Sequence, residues 1–134
     1  ASQYNPDAAP SPDAAVTIEA MVELGHAFWI GEPEVDLPAQ PRRARPIFEH
    51  VATLYGHARA QHYLGLMHLR GEGARQDHAR ALRWLILAAR KRYAPAQATL
   101  GEFYWRRGVA SLTGSEDRAR GLMWFALASQ NARN

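Results

Sequence analysis

Internal repetition constrains this chain more than any other feature, because a unit that recurs in register implies a stack of like elements. Ala60, Leu64, Gly65 and His68 stand in AQHYLGLMH, and Ala96, Leu100, Gly101 and Tyr104 stand in AQATLGEFY, 36 residues further on at every position. Ala20, Leu24, Gly25 and Phe28 in AMVELGHAF open an earlier unit, 40 residues before the middle one. A second set follows within each unit. Trp84, Ala88 and Ala89 align with Trp124, Ala128 and Ser129, and with Phe48, Ala52 and Thr53 one unit earlier. The offsets differ because the connecting loops GEPEVDLPAQP, GEGARQD and RGVASLTGSED differ in length.

The first set falls at i, i+4, i+5 and i+8, which is one stripe of a helix. Each unit therefore reads as helix A, a glycine-containing loop and helix B. Helix A is predicted at about 16–30, 58–70 and 95–107, and helix B at about 42–55, 77–91 and 116–131. Asp77 is placed to cap the middle helix B, Ser115 or Asp117 the last one, and Pro95 suits a first helical turn. Pro46 should bend the first helix B or delay its start. A glycine inside a helix costs about 1 kcal/mol against alanine, so Gly25, Gly65 and Gly101 at one register imply close helix approach that offsets the cost. Phe48, Trp84 and Trp124 supply large apolar area. One such hairpin cannot bury its own face, whereas stacked hairpins share a continuous core. The fold class is all-α, a solenoid of about three helix-turn-helix units at about 16–55, 56–93 and 94–131 within a domain of 14–134. Residues 1–13, rich in Pro, Ala, Asp and Ser, read as a flexible tail.

Composition narrows the function classes. At 134 residues, with 47% hydrophobic and 22% charged side chains, the chain is one ordinary globular domain. It has no apolar run long enough to cross a membrane, and no positively charged start leading into an apolar core. A mature exported chain has this form as readily as a cytosolic one. Cysteine is absent, which leaves the redox compartment open. The net charge is +3, and Lys91 is the sole lysine. The arginine excess has two readings, a GC-rich genome or bidentate contact with carboxylates at an interface. The basic residues are spread over several segments and form no stripe for nucleic acid.

The candidate sites are few. His26, His50, His57, His62, His68 and His78 include no i, i+4 pair with a nearby carboxylate, so no metal site is expected. The GEG of residues 71–73 lacks the strand and the Lys-Ser/Thr of a phosphate loop, and its glycines suit left-handed positions after helix A. No nucleophile, base and orienting group share a known spacing, so neither an enzyme nor a cofactor is expected. The concave face of a solenoid is its natural binding surface. By register it takes Glu23, Ala27, Tyr63, Met67, Thr99 and Phe103, with Arg70 and Arg106 near the helix ends. Tyr63, Met67 and Phe103 are apolar where a solvated face needs no apolar residue. The competing reading is that they pack between units, and Trp29 and Trp105 fit either role.

The recurring pattern A-x-x-x-L-G-x-x-Y-x-x-G-x-G, a loop to Asp, then A-x-x-W-x-x-x-A-A, resembles the Sel-1-like repeat, a relative of the tetratricopeptide repeat. The middle unit carries it in Ala60, Leu64, Gly65, Gly71, Gly73, Asp77, Ala81, Trp84, Ala88 and Ala89, with His68 for the usual Tyr. The third keeps Leu100, Gly101, Tyr104 and Trp124, has a longer loop, and has Gly121 where Ala81 stands. The first keeps Leu24 and Gly25, with Phe48 for Trp. The resemblance covers about 20–130 and implies an α/α solenoid with right-handed superhelical sense that binds protein without catalysis.

A narrower resemblance is to the C-terminal part of the ExoR-type exopolysaccharide regulators of alphaproteobacteria. It rests on ELGHAF (23–28), RARPIFEHVATLYGHARAQ (43–61), RALRWLILAARK (80–91) and RARGLMWFALA (118–128). It implies a periplasmic protein that binds the sensing region of a membrane histidine kinase and restrains two-component signalling over exopolysaccharide production and motility. The partner is then a protein, with no cofactor, no nucleic acid and no insertion into the membrane. Members of that family carry more than three repeats. The alternative is a general repeat adaptor for an envelope or cytosolic complex. The sequence does not set the oligomeric state.

Overall fold

A computed structural model of the chain describes residues 12–133. Among these residues are six α-helices: α1 (Pro12–Ile30), α2 (Pro41–Leu54), α3 (Ala58–Arg70), α4 (His78–Arg90), α5 (Ala94–Val109) and α6 (Ser115–Ala132). Among the described residues the remaining regular features are a 3-10 turn at Pro33–Val35 and an isolated bridge between Glu32 and Leu37. The helices pair as the hairpins α1/α2, α3/α4 and α5/α6, and α2 packs on α3 as α4 packs on α5. The result is an all-α solenoid of helix-turn-helix units.

The local chemistry of the ends explains most boundaries. Asp77 Oδ1 accepts from the Arg80 N–H at 3.1 Å and caps α4. His57 caps α3 by accepting from the Ala60 N–H at its Nδ1. Gly71 and Gly73 hold φ of 72° and 68° after α3, where a Cβ is disfavoured. α6 differs from expectation: its N-cap is Gly114, without a side-chain cap. Asp117 is drawn away by Arg107, which donates to both its carboxylate oxygens at 2.9 and 3.0 Å. α1 begins at Pro12, earlier than the expected 16, because proline tolerates the first turn and Asp13 favours the positive helix end. Pro12 and Asp13, assigned above to a tail, are thus helical, while residues 1–11 lie outside the described residues. Pro46 does not delay α2, which starts at Pro41 and contains it.

The core forms two clusters. One joins α1, α2 and α3 through Ile18, Val22, Trp29, Phe48, Val51, Leu64 and Met67. The other joins α4 and α5 through Leu85, Ala88, Ala89, Ala96 and Leu100, with Tyr104 and Trp124 packed against it. The helix A glycines act as contact points in all three units. A Cβ would lie 2.6 Å from the Phe48 ring at Gly25, 2.8 Å from Leu85 at Gly65, and 2.8 Å from the Phe125 ring at Gly101. These contacts correct the alignment of the first unit. Phe48 does for Gly25 what Leu85, and not Trp84, does for Gly65, so Ala52 corresponds to Ala89. A second tie agrees. Gln61 Nε2 donates to the Ala52 carbonyl and Gln97 Nε2 to the Ala89 carbonyl, anchoring each helix A to the end of the preceding helix B.

Leu24 also departs from its repeat role. Leu64 and Leu100 are fully buried, but Leu24 is 48% exposed. Its equivalents lie against the preceding helix B, and among the described residues none precedes α1. The core face of α1 is carried by Ile18, Val22, Gly25 and Trp29 instead.

Candidate functional site: the groove between α3 and α5

The solenoid brings α3, α5 and the start of α4 around a groove of about 840 Å³. Leu66 and Leu69 of α3, Leu82 of α4 and Phe103 of α5 make its apolar lining. Arg70, His78, Glu102, Arg106 and Arg107 surround that lining, with Thr99 and Ala79 completing the wall. Arg70, Thr99, Phe103 and Arg106 of the sequence-derived set therefore meet in one place. Leu66, Leu69, Leu82, Glu102 and Arg107 were not singled out from the sequence, and His78 was named there only among the histidines weighed as metal ligands. Glu102 and Leu66 share a register 36 residues apart, so the offset that gave Arg70 and Arg106 would have given them too.

The other four residues lie elsewhere, Ala27 half-buried on α1. Met67 is fully buried in the first core cluster. Tyr63 is half-buried, its ring 5.2 Å from His26, 5.3 Å from Phe48 and 5.5 Å from Trp29. Both pack between units and are withdrawn from the concave surface. Glu23 is exposed on α1, where Arg59 Nη2 donates to it at 2.7 Å. Trp29 holds in the α1–α3 interval the register that Leu69 holds between α3 and α5, and its ring packs against Phe48 and Tyr63. Trp29 Nε1 donates to Glu72 Oε2 at 2.8 Å, which fixes the ring in place. The smaller Leu69 leaves the second interval open.

The charges of the groove differ in their freedom. Arg107 is held by Asp117 and stands over the rings of Phe103 and Tyr104 at 5.3 and 5.2 Å. Their hydrogen bond raises the pKa of Arg107 and lowers that of Asp117, so both stay charged. Arg106 Nη2 pairs with Glu102 Oε1 at 2.7 Å, one turn earlier on the same helix. Arg70 lies 3.9 Å from Glu72, outside hydrogen-bond range, and keeps its donors available.

Thr99 connects the groove to the interior. Its hydroxyl donates to the Pro95 carbonyl at 3.0 Å, so its oxygen accepts from His62 Nε2 at 2.9 Å. The Nδ1 of His62 is then a buried acceptor without a partner. Burial, with the Arg70 charge adding to it, lowers the His62 pKa to about 4, and the ring is neutral at pH 7.

Among the described residues no group of three or more His, Cys, Asp or Glu is placed to hold a metal ion. Nor, among those residues, is any helix long and apolar enough to cross a membrane. The groove offers apolar area bordered by guanidinium groups, which is equipment for binding a polypeptide.

The Sel1 repeat family matches the chain at residues 18–45, 58–93 and 94–132. The chain belongs to that family. Among curated proteins it is similar to an exopolysaccharide production negative regulator of Rhizobium meliloti (strain 1021), 27% identical over 118 residues, covering 88% of this chain and 41% of that protein. The protein of the same description from Rhizobium leguminosarum bv. viciae is 27% identical over 115 residues, covering 82% of this chain and 43% of its own length. The chain thus spans under half the length of these relatives. Among solved structures, a protective antigen of uropathogenic Escherichia coli displaying an SLR fold matches with a TM-score of 0.69 and 25% identity, over 87% of this chain and 23% of that one. A Sel1 repeat protein from Oxalobacter formigenes matches with a TM-score of 0.68 and 21% identity, over 90% of this chain and 46% of that one.

Proposed function

We propose that this chain is the binding module of a periplasmic negative regulator of exopolysaccharide production, and that its α3–α5 groove holds the sensing region of a two-component histidine kinase. One observation carries the binding mode: the groove left open by Leu69 has an apolar lining of Leu66, Leu82 and Phe103 beside the weakly engaged Arg70. Such a surface receives a segment that presents apolar side chains next to a carboxylate. The regulatory role is supported by the likeness to two rhizobial negative regulators across most of this chain.

The test is calorimetry of the chain against the isolated sensing domains of the envelope histidine kinases of its own cell, alongside Phe103→Ala. One domain should bind. Phe103→Ala should weaken it about tenfold or more, as loss of a central aromatic contact does, with helical circular dichroism unchanged. Binding indifferent to Phe103 and Arg70 would reject the groove. Silence from every kinase domain, with Phe103-dependent capture of another defined protein, would favour the general adaptor.

A further inference from the structure

A second pocket, on the other side of the α3–α4 loop, is lined by Arg42 and Arg45 of α2 and by Gly71, Gly73, Ala74 and Arg75, with a volume of about 450 Å³. Three guanidinium-bearing residues line it and no carboxylate does. Their placement runs against helix electrostatics. Arg42, Arg43 and Arg45 crowd the start of α2, whose first turn holds no acidic residue and whose N-cap, Gln40, makes no side-chain cap. The positive end of a helix disfavours cations and favours anions.

Arg43 has a structural use. Its guanidinium lies 4.5 Å from the Phe28 ring centroid and donates to Gln40 Oε1 at 3.3 Å. Arg42 and Arg75 have no ion pair among the described residues. Arg45 has Glu49 at 3.7 Å, beyond hydrogen-bond range, and its Nε is buried without an acceptor. The loop is seated to complete the pocket. Gly73 packs onto the Pro41 carbonyl so closely that a Cβ there would collide with it. That contact fixes Ala74 and Arg75 beside the first turn of α2.

We propose that this pocket binds a doubly charged oxyanion of the phosphate class carried by a small soluble molecule. Guanidinium groups match the oxygens of such an anion in charge and in fork geometry. The pocket volume is in the range of small-molecule sites. This site is separate from the groove and does not depend on the partner assigned to it.

Pyrophosphate is the probe, titrated into the full chain at constant ionic strength and followed by the backbone amide shifts of Arg42, Gly73 and Ala74. Saturable shifts confined to these residues are expected, with a dissociation constant of about 1 mM or below. The double variant Arg42→Gln/Arg75→Gln should weaken binding about tenfold or more, and Arg90→Gln, an exposed arginine remote from the pocket lining, should not. Ala74→Glu places a carboxylate in the pocket and should abolish binding while circular dichroism reports an intact helical fold. Shifts that sodium chloride reproduces, or that spread over all exposed arginines, would overturn the proposal. So would equal affinity in the folded double variant.

Discussion

His62 shows how a single buried ring links the groove to stability. Thr99 fixes its tautomer with Nε2 protonated, and a second proton on Nδ1 would be buried without an acceptor. The rings of Tyr63 and Tyr93 lie 6.1 and 5.6 Å away and offer no counter-charge. The folded ring therefore protonates only near pH 4, whereas an unfolded histidine does so near 6.5. Between those values the unfolded chain binds a proton that the folded chain refuses, so stability is complete above about pH 6.5 and falls as pH drops towards 4. The loss between pH 7 and pH 5 should be about 2 kcal/mol from this ring alone. The lowered carboxylates Glu19, Asp77 and Asp117 add their losses only below their ordinary range, more acidic than pH 5. Urea unfolding at the two pH values, in the wild type and in His62→Phe, isolates the effect: the variant should lose far less. An equal acid loss in both would assign the sensitivity to another group.

At the scale of the element, the glycine contacts decide what the sequence can and cannot reveal. Helix positions were legible because capping residues, glycine punctuation and apolar spacing act locally, and α3 falls at the predicted 58–70. The register of α2 was not. Aromatic Phe48 aligns naturally with aromatic Trp84, and only the contact with Gly25 shows that it takes the place of Leu85. The same contacts set the order of three substitutions. Alanine at any of these glycines gains about 1 kcal/mol of helix propensity. At Gly65 the new methyl meets Leu85, which is fully buried and cannot move aside. At Gly101 it meets the ring of Phe125, a residue 38% exposed at the end of the stack and so able to swing out. At Gly121 it meets the backbone of Trp105 and the Gly101 carbonyl, at 2.8 and 2.9 Å. Gly101→Ala should thus be close to neutral, Gly65→Ala should destabilise by about 1–3 kcal/mol, and Gly121→Ala by at least as much. Thermal and urea unfolding of the three variants checks the order. Gly101→Ala as damaging as Gly121→Ala would mean that Phe125 is held in place more firmly than its exposure implies.

Across the whole molecule, position in the stack overrides residue identity. Arg70, Thr99, Phe103 and Arg106 could be read as one surface because the 36-residue offset is regular between the second and third units. Tyr63 and Met67 could not be excluded from it, because Tyr63 is covered by the His26, Trp29 and Phe48 rings of the first unit and Met67 lies in the core that α1 and α2 share with α3. Leu24, Leu64 and Leu100 make the same point in energetic terms. All three occupy one repeat position, yet two are fully buried against a preceding helix B and the first is 48% exposed. At the far end, Leu122 and Phe125 are 56% and 38% exposed, while their α4 counterparts Leu82 and Leu85 are half-buried and fully buried. Burial of a leucine against a neighbouring unit, rather than its match to the repeat pattern, should fix its contribution. Leu64→Ala and Leu100→Ala should each cost about 2–5 kcal/mol, the range for a fully buried leucine, and Leu24→Ala should stay within about 1 kcal/mol. Urea midpoints at several protein concentrations make the comparison decisive. A small, concentration-independent cost for Leu24→Ala means that α1 presents this face to solvent. A cost as large as that of Leu64→Ala, growing with concentration, means that a second chain covers the face and the stack continues across molecules.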